Sequence, residues 1–326
     1  MPRRSVLLVG VPRSGTTWIA NALSHCDGAT MVSEPDNDLH HVHAMAAKAT
    51  LGRYPVLRPG DDAPRYAQLF RTAFTETDPD TDRLGERRRA LAKKLVAGDD
   101  KAVGRVMAEP DGPWPWRLRA ARLVTAPLRP GRPATGPRIV KTVHAPLAAD
   151  WLLDQLRPDA AFVVVRHPAN VMGSWRDLGW DLTRFPWPNA RMWREDGPPE
   201  GNPGPGRPDD WVERGAWHFA LLAHALVMAA AAHDLRVIDH EDVLADPAGS
   251  LAELAEHLGL AWTDEATTWL GERDQPGEGY DIHRVAANEQ GRWRERLTPA
   301  ELAVVADVVG RFPLLRQRWE LAPHSS

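Results

Sequence analysis

The residues best suited to chemistry are clustered near the start of the chain, where residues 9–24 combine glycines with hydroxyl side chains and an arginine. The apolar run at residues 6–9 is typical of a buried strand, and the apolar positions after the glycines have helical spacing. A glycine turn between a strand and a helix directs backbone N–H groups and the positive helix end at one point. The segment therefore predicts a site for a phosphate group.

This phosphate loop, residues 10–17, departs from the nucleotide-cleaving P-loop at one position. Gly10, four intervening residues, Gly15 and a threonine nearly repeat that pattern, but Thr16 stands where the P-loop has its lysine. The cation is instead Arg13, inside the loop. Because NTP cleavage needs the lysine at the β- and γ-phosphates, we expect this loop to anchor a phosphate while different chemistry occurs beside it.

A second candidate anion site lies in residues 161–174. An apolar strand ends there at Arg166, a helix begins after Pro168, and Ser174 follows Arg166 by eight positions. The strand delivers a guanidinium group at its carboxyl end, and the first turns of the helix point the same way. Arg166 and Ser174 are therefore candidates for binding one phosphate together.

Both segments resemble sulfotransferases, enzymes that take a sulfuryl group from 3′-phosphoadenosine 5′-phosphosulfate (PAPS) and release adenosine 3′,5′-bisphosphate (PAP). Residues 12–18 resemble the family's 5′-phosphosulfate loop, and arginine in place of lysine before the serine is nearer the Golgi and bacterial branches. Arg166 and Ser174 resemble the 3′-phosphate site. The resemblance implies donor contacts from a run of loop residues, with the last stacking on adenine: Arg13, Ser14, Gly15, Thr16, Thr17 and Trp18.

Two further segments resemble the family less closely. Residues 237–247 are similar to its strand that ends in an aromatic-Glu-Asp sequence, with His240 for the usual tyrosine and Asp246 as a helix cap. Residues 291–294 are similar to a Gly-x-Trp-Lys element that closes over the 3′-phosphate, although the Arg-Lys-Gly before it is missing. Arg284 and Arg292 are thus candidates for that phosphate or ordinary surface arginines.

The base that removes the acceptor proton has two main candidates. Glu34 follows the second predicted strand, and its interval from Arg13 matches that to the catalytic glutamate of tyrosylprotein sulfotransferases. His144 lies in a segment resembling the family's Lys-Thr-His, but one extra residue would turn its ring to the other face of a strand unless a bulge intervenes. Asp36 is a further alternative. Lys141, which matches the family lysine facing the transferred group, is the expected catalytic cation together with Arg13.

The composition limits the remaining possibilities. A chain of 326 residues with 43% hydrophobic content can bury a full core, and a formal net charge of −4 disfavours a nucleic-acid partner. The single cysteine, Cys26, excludes a disulfide framework and suits a reducing cytoplasm. We expect no membrane span, no metal and a bacterial, cytoplasmic enzyme, and the oligomeric state stays open.

Strand-like and helical segments alternate along the chain, as in a parallel sheet with helical crossovers. The predicted fold is α/β: a P-loop-like parallel sheet flanked by helices, in one domain over residues 1–326. Residues 37–137 would form a helical cap insertion, and the Pro/Gly-rich residues 195–210 a mobile loop. Tryptophans near both segments suggest an aromatic wall for the acceptor.

The predicted function is in-line, metal-independent transfer from PAPS to a hydroxyl of a small-molecule, glycan or glycolipid acceptor. One alternative is a P-loop kinase or NTPase with a degenerate Walker A motif, which would require Mg²⁺. Another is a non-catalytic nucleotide-binding protein, in which loss of Glu34 would have no consequence.

Overall fold

The computed structural model describes residues 4–38, 41–76, 91, 94–95, 115–117, 119–120, 133–182, 190–198, 208–273 and 293–319. Five strands form a parallel sheet in the order β2-β3-β1-β4-β5. Their bounds are β1 Ser5–Gly10, β2 Thr30–Ser33, β3 Arg138–Thr142, β4 Ala160–Val165 and β5 Arg236–Asp239. The predicted α/β fold, with helices flanking a parallel sheet, is confirmed.

The helices follow the strands in the alternation that the sequence predicts. They are α1 Thr16–Ser24, α2 Val42–Lys48, α3 Pro64–Thr75, α4 Ala149–Leu156, α5 Pro168–Asp177, α6 Ala190–Asp196, α7 Trp211–Ala232, α8 His240–Ala245, α9 Pro247–His257, α10 Asp264–Arg273, α11 Trp293–Arg296, α12 Pro299–Gly310 and α13 Pro313–Arg316. Proline at the first helical position starts α3, α5, α9, α12 and α13, as well as the 3-10 turn Pro146–Ala148. Its fixed φ and missing N–H suit that position, and for this reason the sequence predicts the starts of α3, α9 and α12 closely.

The chain divides into two compact units, residues 1–7 with 28–160 and residues 8–27 with 161–326. In the first unit, helix α3 packs on β3 and α4, and Tyr66 and Phe70 are fully buried. Strands β2 and β3 pair in parallel there, with Ser33 opposite Lys141. This register brings the residues after Ser33 and those around Lys141 to the same edge.

The second unit is built around the long apolar helix α7, which packs against α12. Helix α7 has the length and hydropathy of a membrane span, but 83% of its apolar window is buried within the protein. Such burial is typical of a core helix. In this unit Val165 on β4 lies opposite Asp239 on β5, so Arg166 and His240 follow their strands at one edge.

Some sequence predictions concern residues outside the described ranges. They include most of residues 82–96, whose spacing and charge predict a helix, and residues 199–207 of the predicted loop. Five of the described helices were not predicted: α6, α8, α10, α11 and α13. Ala266, Trp269 and Leu270, which α10 buries, have the i, i+3, i+4 spacing that could have revealed it.

Candidate functional site

The phosphate loop has almost no space for side chains at its two glycines. A Cβ at Gly10 would lie 2.6 Å from the Ser14 hydroxyl oxygen and 2.9 Å from the Val164 carbonyl. Gly15 has φ +87°, and a Cβ there would run into the imidazole of His240. Both positions therefore require glycine, one for close packing and the other also for its backbone conformation.

The first turn of α1 has the features of an anion site. Gly15 is the N-cap and supplies no side-chain hydrogen bond. Ser14 is fully buried, and within the described part of the chain its Oγ has no hydrogen-bond partner. Backbone N–H groups at a helix start and an unsatisfied buried hydroxyl are groups that a bound phosphate would satisfy.

Arg13 connects the two predicted phosphate sites. Its Nε donates to Ser174 Oγ at 2.9 Å, and its carbonyl accepts from Arg166 Nη1 at 3.4 Å. Trp175 Nε1 also donates to the Pro12 carbonyl at 3.2 Å. Three polar contacts thus join the loop to the segment that follows β4, two of them from helix α5 and one from Arg166, and the predicted residues Arg13, Arg166 and Ser174 come together.

Glu241 is a residue of this cluster that sequence reasoning did not assign to the site. Its carboxylate accepts from the His167 N–H at 3.1 Å and from Asn170 Nδ2 at 2.9 Å, and it lies 3.8 Å from Arg166 Nε. The sequence feature that could have identified Glu241 is its position directly after β5, in the segment that resembles the family's aromatic-Glu-Asp sequence. Carboxyl ends of parallel strands are where such sites collect functional groups.

His240, also directly after β5, packs against the phosphate loop. Its ring lies edge-on to half-buried Trp18, with centroids 6.0 Å apart. Burial, with the charge of Arg166 as a smaller cause, holds the pKa of His240 well below its usual range. The ring is therefore neutral at physiological pH and adds no charge beside Arg166.

The first unit holds the other predicted group, centred on Glu34. This residue follows β2 with φ +51°, and its N–H donates to the Lys141 carbonyl at 2.6 Å. Its side chain forms an ion pair with Lys141 and accepts from Asn37 Nδ2 at 2.6 Å. Lys141 is only 1% exposed, so its side chain lies inside the protein and not in solvent.

His144 belongs to the same group, contrary to the expectation from strand alternation. Its Nε2 lies 3.6 Å from Glu34 Oε2, although one extra residue was expected to turn the ring away. The expectation was wrong because β3 ends at Thr142, so the pleat does not continue to His144. The two candidate bases are thus neighbours, and His144 Nδ1 is buried without a hydrogen-bond partner in the described residues.

The two candidate bases differ in their titration. Burial opposes ionisation of Glu34, but His144 and the charge of Lys141 outweigh it and hold the pKa of Glu34 well below its usual range. The pKa of His144 is lowered mainly by burial, against the opposing effect of Glu34. At neutral pH Glu34 is therefore a carboxylate and His144 a neutral imidazole, so each could accept a proton.

Asp36 is a support for this group rather than an exposed base. It is fully buried, and its carboxylate accepts from Tyr66 at 2.7 Å and from the Thr142 hydroxyl at 2.6 Å. The Thr142 oxygen in turn accepts from the His144 N–H at 3.0 Å. With both oxygens engaged and no exposure, Asp36 fixes the loops after β2 and β3.

A buried ion pair lies behind the same loops. Lys48 is fully buried, donates to the Asp36 carbonyl at 3.0 Å and pairs with Asp38 at 2.9 Å. The pKa of Asp38 is lowered because Lys48 and Arg53 outweigh the effect of its burial. This pair makes the loop after Glu34 rigid by polar contacts.

The remaining predictions have different outcomes. Arg284 and Arg292 lie outside the described residues. Among the described residues no group of three or more His, Cys, Asp or Glu could hold a metal ion. Several of the tryptophans expected around the acceptor are core residues, since Trp175 and Trp217 are 1% and 2% exposed.

A cleft of about 600 Å³ opens in the first unit, a volume usual for a small-molecule site. Its lining consists of small apolar residues, one tyrosine and exposed charged groups: Ala46, Ala47, Ala49, Thr50, Leu51, Asp62, Ala63, Pro64, Arg65, Tyr66 and Arg119. Tyr66 joins it to the support described above, because the tyrosine hydroxyl donates to Asp36.

Two candidate anion sites at the carboxyl ends of β1 and β4 have the position at which α/β proteins bind phosphate groups. Comparison with known proteins identifies the family. A sequence model of the sulfotransferase family matches residues 5–264. The chain therefore belongs to the sulfotransferase family.

Other comparisons were made with curated proteins and with solved structures. No curated protein matches the chain. Similar solved structures include a sulfotransferase from Alicyclobacillus acidocaldarius, with 15% identity over 98% of both chains and a TM-score of 0.41. Sulfotransferase STF1 from Mycobacterium tuberculosis H37Rv is 18% identical over 97% of this chain and 78% of that chain, with a TM-score of 0.41. STF9 from Mycobacterium avium is 16% identical over 96% and 78%, with a TM-score of 0.40.

Proposed function

We propose that this sulfotransferase transfers the sulfuryl group of PAPS to a hydroxyl of a small-molecule, glycan or glycolipid acceptor. The observation that carries the choice of donor is the polar connection between the phosphate loop and Arg166. Arg13 donates to Ser174 at 2.9 Å, and Arg166 donates to the Arg13 carbonyl at 3.4 Å. A nucleotide with phosphates on both the 3′ and 5′ oxygens needs two adjacent anion sites, whereas a simple NTPase needs one.

The second unit would bind the donor. The N–H groups at the start of α1, the unsatisfied Ser14 hydroxyl and Thr16 suit the 5′ end, and Arg166 with Ser174 suits the 3′-phosphate. Thr17 belongs to the same helical turn, and Trp18 offers a flat surface for adenine. PAPS supplies an activated sulfuryl group when bound, and PAP is its leaving product.

The first unit would supply the groups that act on the acceptor. We assign Glu34 as the base, because it is ionised and held by its contacts with Lys141 and Asn37. His144, 3.6 Å from Glu34, is the competing base. Lys141 in this unit is the proposed catalytic cation, and Arg13 is the proposed cation of the phosphate loop, so the proposal requires no metal.

A thermal-shift experiment tests the choice of donor. PAP should raise the melting temperature of the protein more than 5′-ADP does, and Mg²⁺ should not change that order. Greater stabilisation by 5′-ADP with Mg²⁺ would favour a kinase or NTPase and overturn the proposal. Binding of PAP with no turnover of PAPS over a broad panel of hydroxyl acceptors would instead favour a non-catalytic nucleotide-binding protein.

A further inference from the structure

The Arg166 guanidinium is held at two points of its own unit. Nη1 donates to the Arg13 carbonyl at 3.4 Å, and Nε lies 3.8 Å from a Glu241 carboxylate oxygen. The arginine side chain is 9% exposed and that of Glu241 is 19% exposed. The pair is therefore largely shielded from solvent, where a charge interaction is stronger than at the surface.

Glu241 is itself held in place by helix α5. The His167 N–H donates to both carboxylate oxygens, at 3.1 and 3.2 Å, and Asn170 Nδ2 donates to one of them at 2.9 Å. These donors lie at the N-terminal end of the helix, where a negative charge is favourable. The carboxylate thus has a fixed position from which it can orient Arg166.

We infer that Glu241 is a positioning residue that selects a donor carrying a 3′-phosphate by orienting Arg166. This inference rests on the proposed function. A guanidinium group that is already oriented loses less conformational freedom when it binds a phosphate, and this raises affinity for the ligand that uses it. The affinity for a nucleotide without the 3′-phosphate does not depend on the orientation of Arg166.

The test compares the affinities of PAP and 5′-AMP by isothermal titration calorimetry. In Glu241→Gln the ratio of PAP to 5′-AMP affinity should fall roughly fivefold, the upper end for a charge pair without a hydrogen bond, with 5′-AMP affinity unchanged. Glu241→Asp keeps the negative charge, but its side chain is shorter by one methylene and the carboxylate lies farther from Arg166. The ratio of PAP to 5′-AMP affinity should therefore fall in this variant too. Arg166→Ala gives the ratio expected when the arginine makes no contribution.

Asp242→Asn is the matched control. It removes the same charge from the next position, where the side chain is exposed, and it should leave the ratio unchanged.

Three results would overturn the role of Glu241. A ratio that stays the same in Glu241→Gln would show that Arg166 needs no support, and a ratio that rises would show that the carboxylate mainly repels the phosphate. Failure of both Glu241 variants to fold would show a structural role. The proposed function has a separate test here: wild-type protein that binds PAP no better than 5′-AMP would contradict PAPS as donor, whatever the variants do.

Discussion

Adding one methyl group at Gly15 should disturb the phosphate loop in two separable ways. Gly15 has φ +87°, in the left-handed region that costs a residue with a Cβ about 1–2 kcal/mol. The new Cβ would also run into the His240 ring, whose Cγ would be only 3.0 Å away. Overpacking of this kind costs about 1–3 kcal/mol. Gly15→Ala should therefore lower the free energy of unfolding by about 2–5 kcal/mol.

Two comparisons separate backbone strain from the clash. Gly60 has φ +94°, but no heavy atom lies within 4 Å of the position that a Cβ would take, so Gly60→Ala should cost only the strain, about 1–2 kcal/mol. In a His240→Ala background the ring is gone, and the further cost of Gly15→Ala should fall to that same amount. The difference between the two backgrounds is the coupling energy of a double-mutant cycle.

Urea unfolding followed by circular dichroism measures these costs for all four proteins of the cycle. If Gly15→Ala costs the same with and without the His240 ring, the packing of this ring on the loop is refuted. If Gly15→Ala costs no more than Gly60→Ala, the close approach at Gly15 is refuted as well.

Two other predictions concern the first unit. Lys48→Met should lower the free energy of unfolding by about 3–5 kcal/mol, because it removes the ammonium group that pairs with the buried Asp38 carboxylate, and Lys48→Met/Asp38→Leu should recover much of that loss in urea unfolding. A loss below about 1 kcal/mol in the single variant would contradict the buried pair. If Glu34 is the base, single-turnover transfer should stay constant down to about pH 5, since its pKa lies well below the usual range, and Glu34→Gln should slow it by roughly 10²–10⁴-fold. A wild-type rate that falls with decreasing pH in the range below about 6.5, together with a retained rate in Glu34→Gln, would assign the proton to His144 instead.

Local signals in the sequence were sufficient for most of the secondary structure. The helical spacing and charge of residues 64–75 predict helix α3 with the bounds that the structure has, Pro64–Thr75, and the apolar residues within 138–142 predict β3, Arg138–Thr142. Proline at a helix start and a short apolar run act through the backbone of a few neighbouring residues, so they can be recognised without the fold. The glycine spacing of the phosphate loop is also a local signal, because Gly15 has a left-handed φ and Gly10 approaches Ser14 within the loop. Their close approaches to His240 and Val164 arise only in the folded protein.

The partners of the charged residues depend instead on contacts between distant segments. Glu34 meets Lys141 because β2 and β3 pair in parallel with Ser33 opposite Lys141, and no local pattern contains that register. His144 turned toward Glu34 because its strand had already ended, and Glu241 reached Arg166 through the neighbouring ends of β4 and β5. The residue types of the candidate site could therefore be identified from the sequence. Their pairing, and with it their charge states, arises from burial and strand register, which exist only in the folded protein.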